Sequence, residues 1–353
     1  MAAAAPLALI LSGGVSLGAY QAGAWEALEA AGEAPAWICG ASIGAVTAAI
    51  ILGNPPERRL ERLRAFWEMA AQPEAAAASF GWPLAPFAPN PAQSDWRRWV
   101  SAGGILSARL AGRPGLYHPR LPGLFSLIPG MPRDGALYDS TPMGRTIAEL
   151  VDFDRLNGGA VRFTLACTDV TTGETVLFDT TRDRIGAEHL LASSAFLPDF
   201  PPVEIGGRVL VDGGLSANAP VVPVTEQLEG AWRVLLVDLF EPGDGVPSTL
   251  PRAQERQTEL LFTAQTRRAL AHAARDASLR ARIDPGLSLD LVRVACRSPD
   301  GEVMSKAFDF TADRLRRRWE LGRSGAAAAL RLLAEDGAGP GMRLREVRTD
   351  ASA

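Results

Sequence analysis

Residues 36–53 read AWICGASIGAVTAAIILG, and the fold turns on how the chain passes through Ser42. Trp37 to Cys39 form a short apolar run suited to a strand. Ile43 to Leu52 are small and apolar without a break, which suits a buried helix. A buried strand that hands over directly to a buried helix is the building unit of a parallel α/β sheet. Gly40 and Gly44, two residues before and two after Ser42, let the chain turn sharply while a neighbouring backbone comes close. Such a turn projects the hydroxyl outward and aims the free amides and positive end of the helix at a reacting carbonyl. The same two glycines would also serve simply to pack a helix on a sheet. The motif alone therefore leaves two readings of Ser42, nucleophile or packing residue.

The unit occurs once more upstream. PLALILSGG (residues 6–14) is a continuous apolar run closed by glycines, as in a strand covered on both faces, and AYQAGAWEALEAAG then takes up a helical period ending in Gly. Leu60, Leu63, Phe66 and Trp67 continue with helical spacing. VRFTLACTDVTTGETVLFDT (161–180) reads as two strands joined across TTG as a hairpin, and RVLVDGG (208–214) and RVLLVDLFEPG (233–243) read as further core strands. A helical pattern covers Arg252 to Ile283, LDLVRVACR is a late strand, and a terminal helix is expected to bend near Gly322 and Gly325. The fold class expected is an α/β/α sandwich with a mostly parallel sheet.

The chain has 353 residues, 47% of them apolar and 22% charged, with a formal net charge of −4. That composition folds, and it offers no chain-wide attraction to nucleic acid, so no nucleic-acid partner is expected. Three widely spaced cysteines, Cys39, Cys167 and Cys296, support neither a disulfide framework nor a zinc cluster, and no metal or other cofactor is expected. The opening MAAAAPLALILSGG lacks a basic start and ends in Gly-Gly too early to span a bilayer. The expected location is cytoplasmic, with any membrane contact peripheral.

A serine nucleophile needs a base. The chain has three histidines: His118 in a Pro-rich stretch, His189 before a helical run, and His272 inside a helix. A histidine-assisted esterase or thioesterase using Ser42, Asp169 or Asp179, and His189 is one reading. Against it, only one strand precedes the AWICG strand, and His189 follows no late strand. Asp212 is the better candidate, because it ends a β-rich run and Gly213-Gly214 permit a tight turn that can carry its carboxylate to another loop. The first glycine loop, SGGVSLG (12–18), matches neither the P-loop nor the dinucleotide spacing. Its amides at Gly13, Gly14 and Val15 are then placed to stabilise an oxyanion beside Ser42.

Taken together, LILSGGVSLGAYQAGAWEAL, GASIGA and VDGGLSANAPV, in this order, resemble the patatin-like phospholipase family, as do ACTDVTTGETVLF and SSAFLPDFPPVEIGGRVLVDGG between them. The resemblance covers roughly residues 7 to 224. It implies a serine acyl hydrolase of phospholipase A, lysophospholipase or lipid esterase type, in which Ser42 attacks the ester and Asp212 accepts its proton as a dyad without histidine. Gly40, Gly44, Gly213 and Gly214 would support the two turns. One departure stands out. Where the family often has a third glycine and a basic residue in the first loop, this chain has Val15 and Leu17, which keeps open a catalytically weak lipid-binding or regulatory protein of the same fold.

Residues 79–132 read as a long irregular insertion, rich in Pro and aromatics, with five arginines against one acid. Trp96, Arg97, Arg98 and Trp99 are the candidate patch for transient contact with a membrane surface, the partner otherwise being the lipid ester itself. The expected organisation is a catalytic domain over 1–224 that includes this insertion. Strands and helices over 225–335 would complete or flank it, and 336–353 would be a flexible tail.

Overall fold

The computed structural model describes residues 5–79, 96–120, 135–241, 246–297, 306–335 and 337–349. Its central sheet has nine strands among the described residues: β1 (Leu7–Leu11), β2 (Trp37–Ala41), β3 (Arg162–Asp169), β4 (Thr175–Asp179), β5 (Val203–Ile205), β6 (Arg208–Asp212), β7 (Ala231–Glu241), β8 (Ser288–Arg297) and β9 (Gly341–Thr349). They lie in the order β9-β8-β7-β1-β2-β3-β6-β5, with β4 paired to β3. From β9 to β3 every neighbouring pair is parallel, whereas β4, β5 and β6 pair antiparallel. This is the mostly parallel α/β architecture expected.

Alternation along β1 explains the layers. Leu7, Leu9 and Leu11 enter a core with α1 (Ala19–Ala30), α2 (Ile43–Leu52), α3 (Arg59–Ala70) and α8 (Ala312–Leu333). Ala8 and Ile10 point the other way, to a core with Leu270, Ala273 and Ala277 of α7 (Leu250–Arg280). Successive side chains of a strand face opposite sides, so a strand buried along its whole length needs a helical layer on each face. Three helices that matter below are α4 (Trp96–Ala111), α5 (Thr141–Leu150) and α6 (Ala187–Ser193).

Three expectations change. Helix α8 runs unbroken through Gly322 and Gly325. A Cβ at Gly322 would strike the carbonyl of Tyr20, and one at Gly23 would strike that of Trp319, so these glycines let α1 and α8 lie backbone to backbone. They are contact residues, not breakers. The flexible tail expected from residue 336 is overturned for Gly341–Thr349, which pairs residue by residue with Ser288–Cys296 as the edge strand. Its sequence shows little apolar alternation, with Leu344 exposed and Arg343 and Arg345 half-buried against Asp290 of β8, and the partner strand supplies the order. Finally, the insertion is not irregular throughout, since Trp96–Ala111 is a helix of four turns; the rest of it over 80–95 and 121–132 lies outside the described residues.

The sheet also brings two distant strand ends together. Ala41 at the end of β2 pairs with Ala166, and Asp212 at the end of β6 pairs with the next residue, Cys167. Strands running in opposite directions thus terminate on consecutive positions of β3, and the residues at their tips, Ser42 and Asp212, meet there.

Candidate active site

Ser42 sits between β2 and α2 with φ 53° and ψ −128°, left-handed backbone that a non-glycine residue holds at a cost of roughly 1–3 kcal/mol. The surroundings hold it. Its amide donates to Ser193 Oγ at 3.0 Å, and the Ser193 hydroxyl donates to the Ala166 carbonyl at 2.7 Å, which ties the turn to β3. Ala45 N–H donates to the Ser42 carbonyl at 2.9 Å. A Cβ at Gly40 would stand 2.6 Å from the Ala45 amide, and one at Gly44 would collide with the Leu11 carbonyl. The two glycines of the motif are therefore required by close approach. Ser193→Ala is expected to cost about 1–3 kcal/mol in urea unfolding, because it strands the Ser42 amide in a buried site.

The Ser42 hydroxyl hydrogen-bonds the carboxylate of Asp212, whose residue is 2% exposed. The Asp212 Oδ1 also accepts the Gly214 amide at 2.6 Å. Burial raises the pKa of this carboxyl, and the two hydrogen bonds only partly oppose that, leaving it pushed up to about 7. An ordinary carboxylate is a poor base at neutral pH; this one is poised to take a proton there.

The Asp212 turn is clamped from several directions. Thr168 Oγ1 donates to the Asp212 carbonyl at 2.8 Å, and the Asp212 amide donates to Ala195 O at 3.0 Å. Gln265 of α7 donates to Gly214 O at 3.4 Å and accepts the Asn218 amide at 3.2 Å. At Gly213 a side chain would collide with Ala166 O, and at Gly214 it would stand 2.9 Å from the carboxylate it supports.

The first glycine loop faces the same pair. The Gly13 amide donates to the Asn218 carbonyl at 3.0 Å, which removes it from the expected oxyanion donors; a Cβ there would lie 3.0 Å from that of Ser42. The amides of Gly14 and Val15 take no part in the loop's backbone bonding, so two of the three expected donors stay available. Val15 holds φ 50°, the left-handed conformation a glycine would adopt freely. At the position where a third glycine was expected from the resemblance, Val15 therefore carries backbone strain. Leu17 is buried in the core.

None of the three histidines lines the space around Ser42. His189 Nδ1 accepts the Gly186 amide at 3.0 Å at the start of α6 and packs on Phe178. His118 and His272 lie beside Asp139 and Glu226 at the surface. Asp169 caps a turn at Thr171 and Thr172, and Asp179 is held by Arg162, Thr164 and Thr181 at about 2. The histidine-assisted triad is therefore not assembled. Of the surface patch, Arg97 and Arg98 are exposed and Trp96 and Trp99 half-buried, all in the first turn of α4.

Two cavities meet at Ser42, Val15, Ser194 and Phe200. The narrower is apolar, walled by Ile43, Phe66, Trp67, Leu116, Met143 and Phe310. The wider, about 400 Å³, opens past Asp212, Arg109, Thr258, Phe262 and Phe308. Arg109 lies against the Phe308 ring and pairs with Asp199 at 2.9 Å. No described helix is long and apolar enough to cross a membrane.

A hydroxyl on a sharp strand-to-helix turn, bonded to a buried carboxyl that titrates near neutrality, beside unengaged amides and an apolar slot, is the equipment of a serine-dependent acyl-transfer site. Residues 9–225 match the family described as patatin-like phospholipase, and the chain belongs to that family. Among solved structures it is similar to VipD from Legionella pneumophila, at 13% identity and a TM-score of 0.44, covering 94% of this chain and 67% of that one. It is similar also to ExoU from Pseudomonas aeruginosa in complex with SpcU, at 15% identity and a TM-score of 0.38, covering 95% of this chain and 54% of that one. The chain thus spans about half the length of ExoU. No curated protein matches it in sequence.

Proposed function

We propose that the protein is a serine acyl hydrolase of lipid carboxyl esters. Ser42 is the nucleophile, Asp212 the general base, and the Gly14 and Val15 amides the oxyanion donors. The observation that carries this is the meeting of the Ser42 hydroxyl with the buried Asp212 carboxyl in one cavity, beside the first glycine loop.

In the acylation step Asp212 takes the hydroxyl proton as Ser42 Oγ bonds to the ester carbonyl carbon. Negative charge moves to the carbonyl oxygen, where two preorganised amides and the N-terminus of α2 offset it. Collapse of the tetrahedral species breaks the ester C–O bond. The proton on Asp212 passes to the departing alkoxide, and an acyl-enzyme is left. Asp212, again a carboxylate, then draws a proton from water as its oxygen bonds to the acyl carbon; the bond from that carbon to Ser42 Oγ breaks, Asp212 returns the proton to Oγ, and the fatty acid leaves with both residues restored. The apolar slot suits an acyl chain, since each buried methylene contributes roughly 0.8 kcal/mol. The wider cavity suits the alcohol portion.

An alkyl fluorophosphonate is expected to label the wild-type chain on the peptide carrying Ser42, as read by mass spectrometry of a digest, and to leave Ser42→Ala unlabelled. A label on any other residue, or none, would count against the assignment. Fatty acid release from a panel of phospholipid, lysophospholipid and neutral lipid esters then sets the substrate class.

A further inference from the structure

We infer that Arg318, from the C-terminal helix α8, is a positioning residue for the proposed reaction: by holding Ser16 it sets the two oxyanion amides. The inference rests on that reading of the site. Gly14 and Val15 form a two-residue span between anchors. On one side the Gly13 amide is taken by the Asn218 carbonyl, and Ser12 is tied to β7 through Val237 O and the Leu239 amide. On the other side the anchor is a side chain. Ser16 is fully buried; its hydroxyl donates to Lys306 O at 3.3 Å and accepts Arg318 Nη1 at 2.8 Å.

The span needs both anchors. Val15 is held at φ 50°, and a strained backbone of this kind persists only where its surroundings over-determine it. Release on the Ser16 side lets Val15 relax to negative φ and swings the neighbouring amides away from the place where the oxyanion forms. Arg318 is itself fixed. It is buried, and its guanidinium also donates to Asp309 O at 2.9 Å and to Lys306 O at 3.0 Å, so one planar fork serves three acceptors on two segments. The second segment walls the site, with Ala307 and Phe308 lining the wider cavity and Phe310 the apolar slot. That segment has anchors of its own, from Lys306 Nζ to Glu259 at 2.6 Å and from Asp309 to Ser101 and Thr311. Loss of Arg318 therefore falls on the loop more than on the cavity walls, and on kcat more than on substrate fit. Arg318 also lies beyond residues 9–225, the part that matches the family, so the reactive unit of this chain draws on its C-terminal helix.

The test is hydrolysis of p-nitrophenyl butyrate and octanoate, with urea unfolding of each variant alongside. Arg318→Met is expected to lower kcat roughly 10²-fold, with KM within about twofold and the ratio between the two esters unchanged. Ser16→Ala is expected to cost about tenfold or more in kcat. The double variant is expected to lose no more than Arg318→Met alone, because the two changes cut one link. Arg318→Lys keeps the charge without the fork and is expected to be nearly as slow as Arg318→Met. With an alkyl fluorophosphonate, the plateau labelling rate of Arg318→Met should fall while its midpoint stays near 7, since Asp212 is untouched. Wild-type kcat in either single variant would overturn the inference, as would losses that multiply in the double variant. Full activity in Arg318→Lys would also overturn it, by leaving charge alone as the cause. If Arg318→Met does not fold, Ser16→Ala decides: a loss in kcat at constant KM supports the inference, and wild-type kcat overturns it. A wild-type chain that neither hydrolyses the esters nor takes the label at Ser42 would overturn the hydrolase reading, and the inference with it.

Discussion

Ser42→Ala is expected to lower kcat on a fatty acyl ester by roughly 10⁴–10⁶-fold, the range in which a covalent nucleophile is removed from an otherwise intact site. The variant should remain folded. Alanine meets the same backbone requirement at φ 53° that serine meets, because the penalty comes from the Cβ that both carry. The amide of residue 42 keeps its bond to Ser193, and what disappears is one hydroxyl and its bond to Asp212. Activity should therefore vanish while the urea midpoint stays close to that of the wild type. A midpoint that collapses with the activity would show instead that Ser42 is a packing residue.

On the proposed mechanism, Asp212→Asn is expected to cost roughly 10⁴-fold in kcat, comparable to loss of the carboxylate in known serine hydrolases, and to stabilise the fold at alkaline pH. The sign follows from linkage. Burial raises the Asp212 carboxyl from its ordinary 3.8 to about 7 in the folded chain. Its contribution to stability is then fully present below pH 3.8 and is lost as pH rises through about 7, because the folded state must give up a proton it holds more tightly than the unfolded chain does. Asparagine has no such loss, and its side-chain oxygen can still accept from Gly214. Relative to the wild type, the variant should gain roughly 3–4 kcal/mol by pH 8 and little at pH 4. Thermal melts at the two pH values test this. Loss of activity together with a pH-dependent gain in stability marks a carboxylate kept for chemistry at the expense of the fold. A uniform loss of both would mark a structural aspartate.

Much of this was legible in the sequence because it rests on local rules. The strands around Ser42 and Asp212 announce themselves as unbroken apolar runs ending in glycine, and Gly40, Gly44 and Gly213 occur where the backbones touch. The tight approach that demands glycine and the turn that exposes Ser42 are one feature read twice. What stayed hidden depends on long-range register. Ser193 holds Ser42, and Gln265 clamps the Asp212 turn from a helix far along the chain; Ser193 opens a stretch that resembles the family but nothing local marks its role, and Gln265 lies in an ordinary helical stretch. The Gly13 amide looked equivalent to its neighbours until Asn218, brought in by the Asp212 segment, was found to take it. Gly322 and Gly325 were misread for a similar reason: a glycine that breaks a helix and one that lets another helix touch it look alike in one dimension. The strand Gly341–Thr349 was missed because an edge strand borrows its order from its partner.

The central claim is that Asp212 itself, without histidine, activates Ser42, and the pH dependence of Ser42 phosphonylation tests it most directly. With the wild-type chain and an alkyl fluorophosphonate, the second-order labelling rate should rise with pH and level off, with a midpoint near 7, following deprotonation of Asp212. The same profile should survive His189→Ala and be absent from Asp212→Asn. A midpoint that persists in Asp212→Asn, or that disappears with His189→Ala, would contradict the account.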